Sequence, residues 1–390
     1  MEKVLLIGGA SGQCHAVDIL HEMGYYVLVV DYDKHCLGAK LADEFFAVST
    51  ADTEAIYELA KEKQVISVLA VQSDLGMIVA SKVSERLQLR SIPLEKARLF
   101  TNKYLMRDFL KANGFRYPHY KNCQNKEEVQ DFVQKYGFPF VVKPLDSQGS
   151  RGVCIVHNRE EMVNLEEIVQ YNRDASGIIV EEFLEGEEYT VEGIVVNGRH
   201  TTLAVSKKHH YENLACVSDE LYYNWSPEYE ELIQEHNALI DLTGIPFAVT
   251  HSEYIRTAKG FTLVEFAARG GGARIASHIV PAVSGCDVER VYIEQALGKK
   301  VQLPLLTKRY AVLKFIHLEE KKIKSITGLD KIKKDRHILH IELEYNVDDI
   351  VKPVINDTNR HGHYIATADT ESELQEVMKM VEDELVVVYE

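Results

Sequence analysis

Residues 261–277, which read FTLVEFAARGGGARIAS, constrain the fold more than any other stretch of this chain. The apolar residues of FTLVEF predict a buried β-strand, and they place the carboxylate of Glu265 near its end. Arg269, three glycines and Arg274 follow. A carboxylate at a strand end can hold a hard cation, and glycines let backbone N–H groups approach an anion closely. The stretch indicates a site for an anion and a metal ion. The alternative interpretation is a strand, a glycine turn and two solvated arginines without a binding role.

A second predicted strand, at residues 247–255, precedes this one, and the turn at residues 257–260 joins the two strands in a hairpin. Glu253 and Glu265 then lie on adjacent antiparallel strands, where their carboxylates converge. Two facing acids without a cation would destabilise the sheet, and oxygen ligands suit Mg²⁺. The sequence therefore predicts that Glu253 and Glu265 share one or two divalent cations.

Length and composition exclude several classes of protein. A chain of 390 residues is too long for one hydrophobic core and predicts about two to four domains. Its 44 basic and 60 acidic residues give a formal net charge of −16, which argues against a nucleic-acid surface. Six scattered cysteines without a CxxC pair indicate reduced thiols and a cytoplasmic location. The start MEKVLLIGGASG lacks the shape of a signal peptide, and no apolar stretch reaches membrane-spanning length, so we expect no membrane partner.

The N-terminal part predicts a parallel α/β unit. Residues 4–7 form a short apolar strand, GGASG a tight loop, residues 13–23 a helix and residues 26–30 a second strand. A helix at residues 53–62, a strand at 65–71 and a helix at 74–87 follow. The loop lacks the GxGxxG spacing of a dinucleotide site, so NAD binding is the weaker interpretation. A Rossmann-like domain that forms one wall of a cleft is the stronger one.

Two lysines in the middle of the chain lie where an anion would stabilise them. Lys103 is in the first turn of a predicted helix that buries Leu105, Phe109 and Leu110, and the helix dipole disfavours a cation there. Lys143 lies on the apolar strand FPFVVKP, where an inward ammonium needs an anionic partner. The following loop, DSQGSRG, can fold its N–H groups over phosphates, although it is not a P-loop because no GK[ST] opens a helix.

Carboxylates cluster around the next turn. A predicted strand at residues 178–180 runs into EEFLEGEE, and a second strand covers residues 189–196. Glu181 and Glu188 are spaced so that both can address one ligand across this hairpin. Asn197 and Gly198 then predict a tight hairpin turn. The run KKHH at residues 207–210 opens a polar, aromatic segment to about residue 225, which we interpret as a lid loop.

The remaining segments complete the predicted elements. Helices are expected at residues 227–242 and 287–297, strands at 311–318, 338–343 and 363–368, and a last helix at 371–384. The region after residue 303 carries little evident chemistry, and the chain has no internal repeat.

Taken together, these features resemble the ATP-grasp superfamily in their order and spacing, over nearly the whole chain. The features that carry the resemblance are Lys103, Lys143, the Gly/Ser loop, Glu181, Glu188, Glu253, Glu265 and Arg269. Within the superfamily, HSEY at residues 251–254, EFAARGGG at 265–272 and the small C-terminal tail look like the L-amino-acid ligase and related carboxylate–amine ligase group.

The resemblance implies a fold of class α/β with three domains. It implies an N-terminal Rossmann-like (pre-ATP-grasp) domain over residues 1–98 and a central ATP-grasp α+β domain over 99–302, with a mobile lid at about 118–184. A small C-terminal α/β domain would cover residues 303–390, and a homodimer is an assembly that the resemblance allows.

The resemblance also implies roles for individual residues. Those expected to bind ATP are Lys103 and Lys143 at the phosphates, Ser147, Gly149 and Ser150 in the covering loop, Glu181, Glu182, Phe183 and Leu184 at the adenine, Glu188 at the ribose, and Lys207. Glu253 and Glu265 would hold Mg²⁺, or Mn²⁺ in its place, and Arg269 and Arg274 would be catalytic. The family often has asparagine where this chain has Ala267, so the number of metals stays open.

The implied chemistry is ATP-dependent joining of a carboxylate and an amine. The carboxylate would attack the γ-phosphorus to give an acyl phosphate and ADP, and the amine would then attack the acyl carbon while Arg269 stabilises the oxyanion. Two other interpretations stay open. One is an ATP-grasp enzyme with another acceptor, such as bicarbonate or a nucleotide-biosynthesis intermediate. The other is an NAD-linked oxidoreductase or a binding protein without catalysis.

Overall fold

The structure is a computed structural model that describes residues 1–146, 152–164, 177–211, 217–357 and 359–390. Ser147, Gly149 and Ser150, predicted to cover the phosphates, lie outside the described residues. No helix in the described part of the chain is long and apolar enough to cross a membrane.

The N-terminal part forms a parallel sheet flanked by helices, as predicted. Its strands are β1 Lys3–Ile7, β2 Tyr26–Asp31, β3 Glu44–Ala47 and β4 Ser67–Leu69, in the spatial order β3-β2-β1-β4. Its helices are α1 Cys14–Glu22, α2 Leu37–Leu41, α3 Thr53–Lys63 and α4 Asp74–Leu87, with a 3₁₀ turn at Ser11–Gln13. Alternation along β1 sends Val4 and Leu6 into one core and Leu5 and Ile7 into another.

Two helices lead into a small antiparallel sheet. They are α5 Leu94–Leu99 and α6 Lys103–Ala112, and the side chain of Asn102 caps α6 by accepting from the N–H of Leu105. The small sheet contains β5 Tyr120–Cys123, β6 Phe140–Pro144, β7 Cys154–Val156 and β8 Ile178–Glu182 in the order β5-β8-β6-β7, with helix α7 Lys126–Tyr136 and a 3₁₀ turn at Glu161–Asn164.

An antiparallel sheet of eight strands, the large sheet, forms the centre of the molecule. Its strands are β9 Glu187–Val196, β10 Arg199–His210, β11 Ser218–Tyr223, β12 Ala248–Thr257, β13 Gly260–Ala267, β14 Tyr310–Phe315, β16 Ile338–Leu343 and β17 Gly362–Ala368. Their order is β13-β12-β9-β10-β11-β14-β17-β16, so the C-terminal strands continue the sheet that the middle of the chain begins. A separate pair joins β15 Ile323–Thr327 to β18 Val386–Tyr389.

Helices cover the large sheet. They are α8 Glu230–Thr243 after a 3₁₀ turn at Pro227–Tyr229, a π-helical turn at Ile275–Ile279, α9 Val280–Ser284, α10 Val288–Ala296, α11 Leu329–Ile332 and α12 Glu371–Glu384. Leu374, Val377 and Val381 of α12 pack with Tyr364 and Ala366 of β17. Spacing by three and four residues puts those three side chains on one helix face.

Two expectations about local structure were wrong. Most of the described residues in the predicted lid loop at 207–225 are in strands, because β10 continues to His210 and β11 covers Ser218–Tyr223. Leu105 was predicted to point inward but is 40% exposed. The buried face of α6 instead carries Lys103, Met106, Arg107 and Leu110, so two cations lie on the side of the helix that turns inward.

Candidate active site

A cavity of about 800 Å³ lies between the small sheet and the large sheet, and the N-terminal part contributes Gln72 to its wall. Its charged lining residues include Lys103, Arg107, Lys143, Glu181, Glu188, Lys208, Glu253, Glu265 and Arg269. Its apolar lining includes Val141, Ile155, Phe183, Leu184 and Val264. A volume of this size accommodates a nucleotide-sized ligand, and the mixture of apolar wall and a few converging charges is typical of ligand sites.

The two predicted metal ligands lie directly opposite each other. Glu253 of β12 is paired with Glu265 of β13 in the antiparallel register, and the register shifts immediately after Glu253, so Val264 is an extra residue in β13. A bulge of this kind re-aims the neighbouring side chains. Lys103 Nζ lies 2.9 Å from Glu265, and Lys208 Nζ lies 2.5 Å from Glu253. The facing carboxylates are thus each balanced by a lysine from a different element.

These neighbours set the protonation of the acid pair. Burial would raise the pKa of Glu253 and of Glu265, but Lys208 beside Glu253 and Lys103 beside Glu265 outweigh burial and hold both pKa values below their ordinary range. Burial would lower the pKa of Lys208, but Glu188 and Glu253 raise it above its ordinary value. All three groups are therefore charged at neutral pH.

A buried ion triad links α6 to the small sheet. Arg107 is fully buried and donates from Nε and Nη2 to the Glu181 carboxylate at 2.6 and 3.2 Å, while Lys143 Nζ lies 2.5 Å from the same carboxylate. Burial would raise the pKa of Glu181, but Arg107 and Lys143 hold it at about 2. Arg107 also donates to the carbonyl of Val264 at the bulge, which ties the triad to the acid pair.

Arg269 is held in a fixed position on the cavity wall. Its Nε donates to Asp74 of helix α4 at 2.7 Å, Nη2 reaches the other oxygen of Asp74 at 3.5 Å, and Nη1 donates to the carbonyl of Gly270 at 3.0 Å. These bonds use three of the five N–H groups of the guanidinium. Gly270 is tightly packed, because a Cβ there would lie 2.4 Å from the side chain of Ala276, whereas a Cβ on Gly272 would meet nothing within 4 Å.

Two predicted residues lie outside the cavity. Lys207 is 47% exposed and pairs with Glu187 on the other face of β10, because successive strand residues point to opposite faces. Lys208, which the prediction omitted, takes the position on the cavity wall. Arg274 has a left-handed backbone with φ of 63° and lies 3.7 Å from Glu342 rather than on the wall.

Sequence reasoning also missed a buried histidine–carboxylate pair. His251 Nδ1 lies 2.8 Å from Glu192 of the neighbouring strand β9, and Nε2 lies 3.8 Å from Glu253. Burial would lower the pKa of His251, but Glu192 and Glu253 raise it to about 9, so the ring carries a charge next to the acid pair. The sequence signal for His251 was its spacing, because it precedes Glu253 by two residues and therefore lies on the same strand face. Arg107 was missed as well, and its signal was also spacing, because it follows Lys103 by four residues on one helix face.

The glycine loop of the N-terminal part is covered by its own domain. Asp31 at the end of β2 accepts from the N–H of Gly9 at 2.8 Å, and the Gly9 carbonyl accepts from the N–H of Gly38 at 2.8 Å. A Cβ on Gly38 would lie 2.7 Å from Gly9, so helix α2 packs directly against the loop. In a dinucleotide site the acidic residue would face a ribose and the loop a pyrophosphate. The packing argues against NAD binding here.

Two parts of the chain match known families. Residues 101–214 match the ATP-grasp (A) domain of phosphoribosylglycinamide synthetase, and residues 314–390 match the L-amino acid ligase C-terminal domain 2. The second match begins within β14 and includes the strands that extend the large sheet.

Whole proteins of known activity are also similar. Dapdiamide A synthase of Enterobacter agglomerans is 26% identical over 290 residues, which are 70% of this chain and 68% of that enzyme. Phosphoribosylamine–glycine ligase of Pyrococcus furiosus is 25% identical over 299 residues, 70% of this chain and 67% of that enzyme. The crystal structure of an L-amino acid ligase from Bacillus licheniformis superposes with a TM-score of 0.82 at 18% identity, covering 100% of this chain and 99% of the other, and so shares its fold.

The fold, the cavity between the two antiparallel sheets and both family matches define an ATP-grasp protein, and the chain belongs to the ATP-grasp superfamily. Within the superfamily the chain is similar to ligases, and its residues 314–390 match the C-terminal domain 2 of L-amino acid ligases. The predicted superfamily, fold class and enzyme class are confirmed. The domain limits near residues 98 and 302 stay a prediction.

Proposed function

We propose that this enzyme joins the carboxylate of an amino acid to an amine, with conversion of ATP to ADP and phosphate. The observation that carries the proposal is the acid pair, Glu253 opposite Glu265, beneath Lys103 and Lys208 from two other elements. The names of the relatives support the substrate class, since one relative is named a phosphoribosylamine–glycine ligase and the C-terminal region matches the L-amino acid ligase C-terminal domain 2.

The charge balance of the cavity fits a metal–nucleotide complex. Each lysine of the acid pair is bound to a carboxylate, so a bare triphosphate would add unpaired negative charge to a buried site. If the triphosphate enters with a divalent cation, Lys103 and Lys208 exchange carboxylate partners for phosphate oxygens, and Glu253 and Glu265 exchange lysines for the cation. Both lysines and both glutamates then keep a partner of opposite charge.

Glu253 and Glu265 fit Mg²⁺, or Mn²⁺, because they offer facing carboxylate oxygens, the ligand type that hard cations prefer. Bound there, the ion would offset the negative charge of the phosphates during phosphoryl transfer. Ala267, which pairs with His251 in the register, offers no side-chain oxygen for a second ion. We therefore propose the two glutamates as the metal ligands of this chain.

The adenine is proposed to lie against the turn after β8. The N–H groups of Glu182 and Phe183 already donate to the carbonyls of His119 and Pro139, so we assign the adenine contact to the N–H of Leu184. The Glu181 side chain, held by Arg107 and Lys143, would position this turn rather than contact the base itself. Glu188, on the cavity wall beside Lys208, remains the proposed ligand of the ribose hydroxyls.

The acyl-transfer half of the reaction is assigned to Arg269. Its two remaining N–H groups are available to an oxyanion in the cavity, and Asp74 keeps the fork from rotating. The substrate carboxylate would attack the γ-phosphorus, and the amine would then displace phosphate from the acyl phosphate through a tetrahedral intermediate. Enclosure between the two sheets limits the access of water, which would otherwise hydrolyse the acyl phosphate.

A screen of ADP release tests the proposal. The enzyme is incubated with ATP and Mg²⁺ and with amino acids singly and in pairs, and products are identified by mass. Amide product formed together with ADP is the expected result. ADP release that requires bicarbonate or a phosphoribosylamine instead of an amino-acid pair would move the assignment to another acceptor, and absence of ADP release with all of them would overturn it.

A further inference from the structure

A second cluster of ligand-type side chains lies outside the cavity, on the edge of the large sheet. His340 and Glu342 are two residues apart on β16, so they share one face, and Glu342 pairs with His363 of β17 in the antiparallel register. One side-chain nitrogen or oxygen from each of the three lies within 4.8 Å of the other two. The sheet geometry thus brings two imidazoles and one carboxylate to one spot.

One ring nitrogen of each histidine in this cluster is buried without a hydrogen-bond partner. Among the described residues, Nε2 of His340 and Nε2 of His363 have no hydrogen-bond partner although both atoms are shielded from solvent. Nε2 of His340 lies 2.9 Å from Glu342 but not in hydrogen-bond geometry. Unpartnered buried polar atoms are costly. A bound ion would give these two buried nitrogens a partner.

We propose that His340, Glu342 and His363 bind one divalent transition-metal ion, with Zn²⁺ as the best-fitting ion. Imidazole and carboxylate together suit zinc and its neighbours, whereas Mg²⁺ prefers oxygen alone. Ligands of a tetrahedral zinc ion are about 3.3 Å apart, as follows from metal–ligand bonds of about 2.0 Å. The most widely separated ligand atoms therefore need to approach by at most about 1.5 Å, which rotation about the side-chain χ angles supplies.

Arg274 is a cationic group that competes with a metal ion at this site. It lies 3.7 Å from Glu342, so the arginine and a metal ion compete for the same carboxylate. The ring of His278 also borders the cluster, 6.1 Å from the ring of His340. Three protein ligands leave a fourth position for water or another group, as in zinc sites with an open position.

The site is separate from the acid pair but close to the same cavity. Arg274 follows Ala273, which lines the cavity, and the ring of Phe315, another lining residue, lies 6.0 Å from His363. An ion held between β16 and β17 would fix the edge strand of the large sheet and occupy the carboxylate that Arg274 uses. Binding of an ion there is independent of the proposed ligase reaction.

Zinc titration of the chelator-treated whole protein in excess Mg²⁺, followed by calorimetry, tests the proposal. We expect one Zn²⁺ per chain, and a loss of affinity in His340→Asn and in His363→Asn of at least the 10–100-fold that removal of an outer-shell partner costs. His209→Asn is the matched control, because His209 also pairs with a carboxylate, Asp219, but belongs to no three-ligand group among the residues that the structure describes. Arg274→Ala should bind Zn²⁺ more tightly, by roughly fivefold, because a competing cation is removed.

The acid pair is the main competing zinc site, and Glu253→Gln distinguishes the two. Zinc binding that persists in Glu253→Gln and is lost in His363→Asn supports the cluster. The reverse pattern, or equal binding by wild type and His363→Asn, overturns it. An anomalous difference map from zinc-soaked crystals of the wild-type protein locates the ion independently of whether the variants fold, and a peak elsewhere than between β16 and β17 refutes the assignment.

Discussion

Replacing Glu181 with glutamine removes a buried charge while keeping the shape of the side chain. The pKa of Glu181 falls from 4.5 to about 2 in the folded protein, because Arg107 and Lys143 outweigh the effect of burial. One pKa unit corresponds to about 1.4 kcal/mol, so the ionised carboxylate contributes about 3 kcal/mol to the free energy of unfolding. Glu181→Gln should be less stable by that amount at neutral pH.

The sign of the pH dependence follows from the lowered pKa. A carboxylate whose pKa is lower in the folded state stabilises the folded protein fully at pH values above its unfolded-state pKa of 4.5. This contribution is lost as the pH falls through the folded-state pKa of about 2. About half of it should remain at about pH 3. Protonated glutamate resembles glutamine, so the difference between wild type and Glu181→Gln should shrink as the solution is acidified.

Urea unfolding followed by circular dichroism at about pH 7, 4 and 3 measures this difference. Glu185→Gln is the matched control, since Glu185 lies in the same turn but is exposed, and its variant should track wild type at every pH. A difference between wild type and Glu181→Gln that stays constant from pH 7 to about 3 would refute the reasoning, because it would mean that the charge of the carboxylate contributes nothing.

Three further predictions concern the cavity. Glu253→Gln and Glu265→Gln should each lower ATP turnover by orders of magnitude while the circular dichroism spectrum stays unchanged. Calorimetry should find that each variant binds a non-hydrolysable ATP analogue more weakly in the presence of Mg²⁺. Unchanged binding at limiting Mg²⁺ would contradict the metal assignment. Lys208→Met should abolish nucleotide binding, whereas Lys207→Met should leave it intact. Equal effects of the two substitutions would contradict the assignment of Lys208 to the cavity side of β10 and of Lys207 to the opposite side. Arg269→Lys should bind ATP normally but form amide product roughly 100-fold more slowly, because lysine lacks the planar fork; lost ATP affinity with normal turnover at saturating ATP would make Arg269 a nucleotide ligand.

Elements fixed by local signals were predictable. Helices α4 and α12 begin and end at the predicted residues, because Ser73 and Thr370 cap them and an apolar stripe runs along each. The hairpin of β12 and β13 was also predictable, since a short turn joins two apolar strands, and its confirmation put Glu253 opposite Glu265. These are interactions between residues close in sequence.

Features that depend on strand facing were not predictable. The run KKHH contains adjacent lysines, and the register shift between Thr202 and Ala204 is part of what decides which of them faces the cavity. A slip of one residue exchanges the two faces of a strand, and no periodicity in the sequence records the bulge. Arg107 was missed for a related reason, because its role depends on Glu181, which is distant in sequence and reaches it only through the fold.

The continuity of the large sheet limits how relatives of this enzyme can be recombined. Strand β14, from the C-terminal region, hydrogen-bonds to β11, with Glu220 opposite Lys314 and Tyr223 opposite Ala311. A chimera that exchanges the tail after residue 303 must therefore reproduce the seam between β11 and β14, because a truncated chain would leave the backbone of β11 as an open edge that favours aggregation. A crossover at residue 218 would keep β11 with β14, but it would divide β10 from β11 and β9 from β12 and so create two seams in the large sheet instead of one.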